Sequence, residues 1–141
     1  MNASITFLGL ALRAGKLEIG EESCGIAARA KKARVILTAS DASQNSRTRA
    51  GNYCQDSKAP HVQLPFTKSE IGAVVGRGQP GMLAITDIGM ASAFLDKLAL
   101  EYPNCCSEQA DALKTASERY ARRLKETQAH KKNIRLGKKK K

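Results

Sequence analysis

The six residues Gly76-Arg77-Gly78-Gln79-Pro80-Gly81 carry the spacing GxGxxG, which in other chains cradles a pyrophosphate. That chemistry needs the glycines to leave a strand and open a helix, so that helix N–H groups meet the anion. Here the residues before Gly76 read as a helix and Met82-Leu83-Ala84-Ile85 after it as a strand, and Pro80 removes one backbone donor. The order is reversed, and a dinucleotide site is rejected. Two uses remain: a plain turn, or a glycine-rich tip that presents Arg77 to a polyanion.

Other catalytic constellations fail on spacing. The chain has no GxxxxGK[ST] segment, and Ser40-Asp41 has no histidine nearby to complete a triad. Glu21 and Glu22 sit where acids complement the dipole of a helix N-terminus. His61 falls within a strand pattern. No nucleophile, base and oxyanion donor can be assembled, so no enzyme activity and no small-molecule substrate are expected. Cys24, Cys54, Cys105 and Cys106 include no CxxC pair and form no zinc-ligand spacing with His61 or His130, so neither zinc nor any other cofactor is expected. Arg13 and Lys16 interrupt the first apolar stretch, and no apolar run approaches the ~20 residues of a membrane span. The expectation is a cytoplasmic protein with reduced thiols and no membrane partner.

Charge supplies the positive indication. The 141 residues carry a formal net charge of +11 from 24 basic and 13 acidic side chains. It is uneven: residues 1–100 hold +4, and residues 101–141 hold +7. A basic excess attracts polyanions, chiefly nucleic acid, although a solubilising tail has the same composition.

The elements that must position these residues follow from periodicity. Ile5, Leu8 and Leu12 recur at helical spacing behind a cap at Asn2 or Ser4, and Gly15 stops that helix. Leu17 to Ile19 fits a short strand. Gly20 then breaks the pattern and Glu21-Glu22-Ser23 opens a helix running to Lys31 and Lys32. Val35-Ile36-Leu37 reads as a buried strand, followed by a capping-rich cluster and a polar helix from about Ser43 to Ser57. Pro60 introduces a strand over residues 61–64. Thr67-Lys68-Ser69-Glu70 matches the capping box, and Thr86 or Asp87 caps a helix with Met90, Phe94, Leu95 and Leu98 facing inward. Helices and strands therefore alternate to about residue 100. This predicts an α/β fold: a compact three-layer α/β/α sandwich with a small mixed sheet of about four strands. Beyond the break at Tyr102-Pro103-Asn104, the stripe Leu113, Ser117, Tyr120 and Leu124 predicts a basic amphipathic helix from about Glu108 to Gln128. From Ala129 to Lys141 the Lys-rich composition predicts disorder. The expected division is thus a sandwich domain over residues 1–100 and a basic helical extension over 101–141.

The order of segments is the most specific signal. Leu8 to Leu17, Gly20-Glu21-Glu22, Ala33 to Ser43, the strand after Pro60, Thr67 to Gly72, and the turn Gly76 to Gly81 leading into Met82 to Asp87 follow one another at characteristic spacing. Over roughly residues 5–100 this resembles the ribosomal protein L-seven-Ae superfamily, in its bacterial YlxQ-like branch. The resemblance implies an α/β/α sandwich that binds structured RNA, kink-turn RNA in many members. It implies contact through the N-terminus of the second helix and the loop before the last strand.

Carried over residue by residue, that helix opening is Gly20, Glu21, Glu22 and Ser23, and the loop is Arg77, Gly78, Gln79 and Pro80. The family stretch reads Gly, a variable residue, Asn, Glu, and a Lys three residues on. The glycine is kept at Gly20, while the other positions fall on Glu22, Ser23 and Ile26. The residue chemistry adds Lys16, Lys31, Lys32 and Arg34 as candidates for neutralising phosphate, and allows either Glu21 or Glu22 to accept a base amino group. The expected partner is structured RNA, ribosomal RNA or the ribosome among the candidates. The alternative is a protein-interaction module on the same fold. On the RNA reading, binding weakens steeply with salt, and charge reversal at Arg77 weakens it further while leaving the fold intact. An Arg77→Glu variant that binds structured RNA as well as wild type at physiological salt would remove that loop from the surface.

Overall fold

Val35-Ile36-Leu37-Thr38 and Met82-Leu83-Ala84-Ile85 contain no residue that is not buried, the pattern of strands covered on both faces. Each sends alternate side chains to opposite layers. Val35, Leu37, Leu83 and Ile85 join Ile5, Leu8, Ile71, Phe94 and Leu98 in the larger core. Ile36, Met82 and Ala84 pack with Cys24, Ala27 and Ala50 in a smaller one. Both thiols at this second layer, Cys24 and Cys54, are pushed up to about 12 by burial, which keeps them protonated.

The computed structural model describes residues 3–76 and 78–137, and for residues 106–108 and 128–137 it describes backbone alone. In chain order the elements are α1 (Ala3–Arg13), β1 (Leu17–Ile19), α2 (Glu21–Arg29), β2 (Val35–Thr38), α3 (Gln44–Ser57), β3 (His61–Gln63), α4 (Lys68–Val75), β4 (Met82–Ile85), α5 (Ile88–Glu101) and α6 (Pro103–Gly137). The four-stranded sheet has the order β1-β4-β2-β3. β2 and β3 are parallel, and β4 runs antiparallel to both β1 and β2. The sheet is mixed, with α2 and α3 on one face and α1, α4 and α5 on the other. This is the α/β fold of about four strands that the alternation of patterns implies.

The topology gives the sheet two unlike ends. β1, β2 and β3 all finish at one end, where β4 begins. We call it the carboxyl end and the opposite one the amino end.

Local chemistry sets most boundaries where the sequence places them. Ser43 caps α3 by accepting from the Ser46 N–H at 3.1 Å. Thr67 and Glu70 form a complete capping box on α4. Asp87 caps α5 through the Met90 N–H at 2.9 Å. α2 stops at Arg29, so Lys31 and Lys32 lie beyond it, with Lys31 in the left-handed region at φ 59. The start of α1 excludes one of the two expected caps. Ser4 is inside the helix, and Asn2 lies outside the described residues. A cap comes from the end of α5: the Glu101 carboxylate accepts from the Ala3 N–H at 2.8 Å and the Ser4 N–H at 3.1 Å, and from the Ser4 hydroxyl. These bonds, the Ser4 hydroxyl first, hold the Glu101 carboxyl below its ordinary range.

α6 is longer than the stripe implies. It begins at Pro103, where a proline is tolerated because a first-turn N–H has no helical partner. Its backbone continues past Ala129, the start of the expected disorder, to Gly137; residues 138–141 lie outside the described residues. Its first turns cover the open edge of β3. Cys105 Sγ donates to the Gln63 carbonyl at 3.4 Å and Gln109 Nε2 to the His61 carbonyl at 3.5 Å, while Ala110 and Leu113 are buried. Further along, Tyr120 is 45% exposed and Leu124 47% exposed. The expected apolar stripe therefore docks at Leu113 and then overhangs the domain. Leu113→Ala is expected to cost about 2–3 kcal/mol in urea unfolding, and Leu124→Ala less than about 0.5 kcal/mol. Equal losses would mean that the distal half of α6 is docked as well.

Candidate nucleic-acid interface

Gly20 sits at φ 93, a conformation that other residues adopt only with strain. This turn lets the chain pass from strand to helix without a linker. The Gly20 N–H donates to the Met82 carbonyl at 2.9 Å, the last rung between β1 and β4, and the Gly20 carbonyl accepts from the Cys24 N–H at 3.0 Å within α2. No side chain caps α2. The N–H groups of its first turn thus stand beside the start of β4 without an intrahelical partner.

The loop before β4 comes to the same place by a close approach. α4 ends at Gly76 in the left-handed region. The chain then folds back over the helix so tightly that a Cβ on Gly72 would lie 1.8 Å from the Gly78 carbonyl oxygen. Only glycine at position 72 allows this path. The Gly81 carbonyl accepts from the Ala39 N–H at 3.0 Å, so the loop enters the sheet between the α2 opening and the end of β2. The segment after β2 is tied in turn to α4: Ser40 N–H donates to the Phe66 carbonyl at 2.8 Å, and the Asp41 carboxylate accepts from the Lys68 N–H at 2.9 Å.

The electrostatics at this carboxyl end are mixed. Glu21 is tied within the domain. Its carboxylate accepts from the Ser46 hydroxyl and pairs with Arg49 at 2.8 Å, which ties the openings of α2 and α3 together. The Ser46 hydrogen bond, with Arg49 adding to it, holds the Glu21 carboxyl below its ordinary range. Glu22, by contrast, is exposed and has no such bonds among the described residues. Gly78 and Gln79 are exposed and Pro80 half-buried beside them. Arg77 lies outside the described residues.

Four candidates are not brought to this end. The Lys16 carbonyl accepts from the Thr86 N–H at 2.9 Å, just past the finish of β4, and the Arg34 N–H donates to the Ile85 carbonyl at 2.8 Å. Lys31 and Lys32 form the turn that follows α2 and leads to Arg34. All four therefore stand at the amino end. β1 and α2 each traverse the sheet between these four cations and Gly20, so the four do not share one end with the helix opening. Ser23 lies between: it lines a groove of about 330 Å³ that passes Ile26, Ala27 and Ala30 and reaches Lys32.

Ser46, Arg49 and Gly72 were not legible as site-forming residues. Ser46 and Arg49 lie on a polar helix whose pattern marks no particular face, and only coordinates pair them with Glu21. Gly72 did carry a signal, since a glycine inside a helix costs about 1 kcal/mol relative to alanine without a packing reason. Among the described residues no group of three or more His, Cys, Asp or Glu side chains is placed to hold a metal ion, and no helix is long and apolar enough to cross a membrane.

With this geometry in view, the comparisons with known proteins define the class. The profile of the ribosomal protein L7Ae/L30e/S12e/Gadd45 family matches residues 5–94, from α1 into α5, and the chain belongs to that family. Within it, the chain is similar to RNA-binding protein YlxQ of Enterococcus faecium, at 33% identity over 88 residues covering 62% of this chain and 84% of that one. It is also similar to RNA-binding protein YlxQ of Bacillus subtilis strain 168, at 30% identity over 91 residues covering 64% and 90%. The fold matches a protein of unknown function from Bacillus halodurans with TM-score 0.63 at 20% identity, over 70% of this chain and 98% of that one. It matches a 15.5kD RNA binding protein of Giardia lamblia with TM-score 0.55 at 12% identity, over 77% and 85%.

The Glu21 tie makes a pH-dependent statement. A carboxyl held below 4.5 in the folded chain contributes stability that is complete above that ordinary value and is lost as pH falls through the folded value. In urea titrations, wild type is therefore expected to exceed Glu21→Gln in stability near neutral pH and to converge with it in acid. A gap that stays constant with pH would mean the tie does not depend on the ionised carboxylate.

Proposed function

We propose that the protein binds structured RNA through the carboxyl end of its sheet, at the opening of α2 and the 78–81 loop, and performs no catalysis. The observation that carries this is the convergence on the start of β4: the Gly20 N–H on Met82, and the Gly78 carbonyl packed over Gly72. Two segments distant in sequence thereby present backbone and short polar side chains to one ligand. Family membership and the names of the YlxQ relatives support RNA as that ligand.

The chemistry suits a folded RNA better than a uniform duplex. The uncapped N–H groups at the start of α2 can donate to a phosphate. Gly78 permits close approach of backbone to backbone. Glu22 offers only acceptors, so it can take a hydrogen bond from an exocyclic amino group but repels phosphate. Such a mixture fits a bend where unstacked bases and sugar-phosphate lie side by side, as in kink-turn-like RNA, and ribosome association is the cellular setting we attach to it. Ser23 and Gln79 supply further polar contacts at either side of the junction.

The role of Glu22 has a sign that can be measured. If it accepts from a base, Glu22→Ala weakens binding to a kink-turn RNA by about tenfold, one good hydrogen bond, and leaves the salt dependence unchanged. If it serves only the helix dipole, removing its charge near phosphates strengthens binding instead, and a strengthened complex in a filter-binding titration would defeat the base-reading role.

A further inference from the structure

We infer that the amino end of the sheet is a second, sequence-independent RNA surface, which holds the phosphate backbone of a double-helical stem flanking the segment bound at the carboxyl end. This rests on the RNA reading above and assigns a role to cations that stand away from the carboxyl end. Lys16 and Arg34 flank the end of β4 through the Thr86 N–H bond to the Lys16 carbonyl and the Arg34 N–H bond to Ile85. Two strand spacings of about 4.8 Å set them roughly 10 Å apart. Lys31 and Lys32 precede Arg34 by a few residues. Lys58 precedes Pro60, whose carbonyl accepts from the Ile36 N–H at the same end.

All five side chains are exposed, and among the described residues the one ion pair is that of Arg49 with Glu21. Their side chains are therefore accessible to a ligand, with Glu18 beside Lys32 in the same groove. Lys31 at φ 59 and Lys58 at φ 56 are the described non-glycine residues with positive φ, at positions where glycine or asparagine would fit without strain. No aromatic residue occurs in 13–34, so the row offers charge without a stacking platform, which suits phosphates rather than bases.

α6 extends this end. Its chain passes from Gln63 at the carboxyl end to His61 at the amino end of β3, through the bonds of Cys105 and Gln109. The residues that follow Leu113 consequently project past the amino end. On that overhang Arg119, Arg122 and Arg123 are exposed and recur at helical spacing, on a different face from Tyr120 and Leu124. The family profile stops at residue 94, so this part of the surface lies outside the segment shared with the family.

The test uses the full chain and two probes, a kink-turn RNA and a plain RNA duplex of equal length. Two variants carry the proposal: Lys31→Gln/Lys32→Gln/Arg34→Gln, and Arg119→Gln/Arg122→Gln/Arg123→Gln. Each is expected to lower affinity for both probes by the same factor and to flatten the slope of log K against log salt by about two to three, since every phosphate left without its cation removes about 0.9 from that slope. Thermal midpoints are expected to stay at the wild-type value, since the changed side chains are exposed. Glu22→Ala serves as the carboxyl-end control and is expected to alter the preference between the probes, not the slope. Unchanged slopes in both triple variants, with wild type still preferring the kink-turn, overturn the second surface and leave the first reading standing. Flattened slopes with no preference between probes in wild type support the second surface and overturn the kink-turn reading. Triple variants that lose binding to phosphatidylserine vesicles while keeping wild-type RNA slopes overturn it in favour of a membrane surface.

Discussion

The start of β4 is the constraint on which the rest depends. Met82 receives the Gly20 N–H on one side, and Gly81 receives the Ala39 N–H on the other. Because β4 runs against its neighbours, its first residues meet the last residues of β1 and β2. One strand terminus thereby gathers a helix opening, a glycine loop and the approach to α3. Burial makes the arrangement rigid: Met82 and Leu83 fill opposite cores, so a one-residue slip would send each side chain into the wrong layer. Gly72 completes the arrangement by leaving room for the Gly78 carbonyl.

Charge is distributed in a way that net charge conceals. At the carboxyl end, Glu21 and Arg49 neutralise one another and Glu22 adds a free carboxylate. Among the described residues, Lys16, Lys31, Lys32, Arg34 and Lys58 are exposed at the amino end, and Arg119, Arg122 and Arg123 along α6. A ligand with both dense phosphate and exposed base edges meets each requirement at a different place on one molecule. On the proposed reading, shape and hydrogen-bond donors act where specificity is read, and Coulomb attraction acts where the backbone runs past. The separation also explains how a chain of +11 can carry acids at the opening of α2.

Much of this was legible in sequence because it depends on local chemistry. Val35 to Leu37 and Met82 to Ile85 are buried strands by composition, and Thr67 with Glu70 marks a helix start by hydrogen bonding across three residues. The rejected GxGxxG is likewise a local matter, since Gly76 ends a helix instead of opening one. What stayed hidden is non-local. Nothing near Ser4 indicates that Glu101 caps α1, and nothing near Glu21 indicates Arg49. The division of Lys16, Lys31, Lys32 and Arg34 from Gly20 follows from strand direction, which hydropathy cannot supply. The stripe on α6 shows an apolar face without showing where the domain beneath it ends.

Backbone amide chemical shifts followed during titration with a kink-turn RNA test the central claim most directly. If both segments touch one ligand, the amides of Glu21, Glu22 and Ser23 move together with those of Gly78 and Gly81 and saturate at one RNA concentration. If those amides stay fixed while the complex saturates, or if the helix opening and the loop titrate at different concentrations, the convergence at β4 is not the binding site.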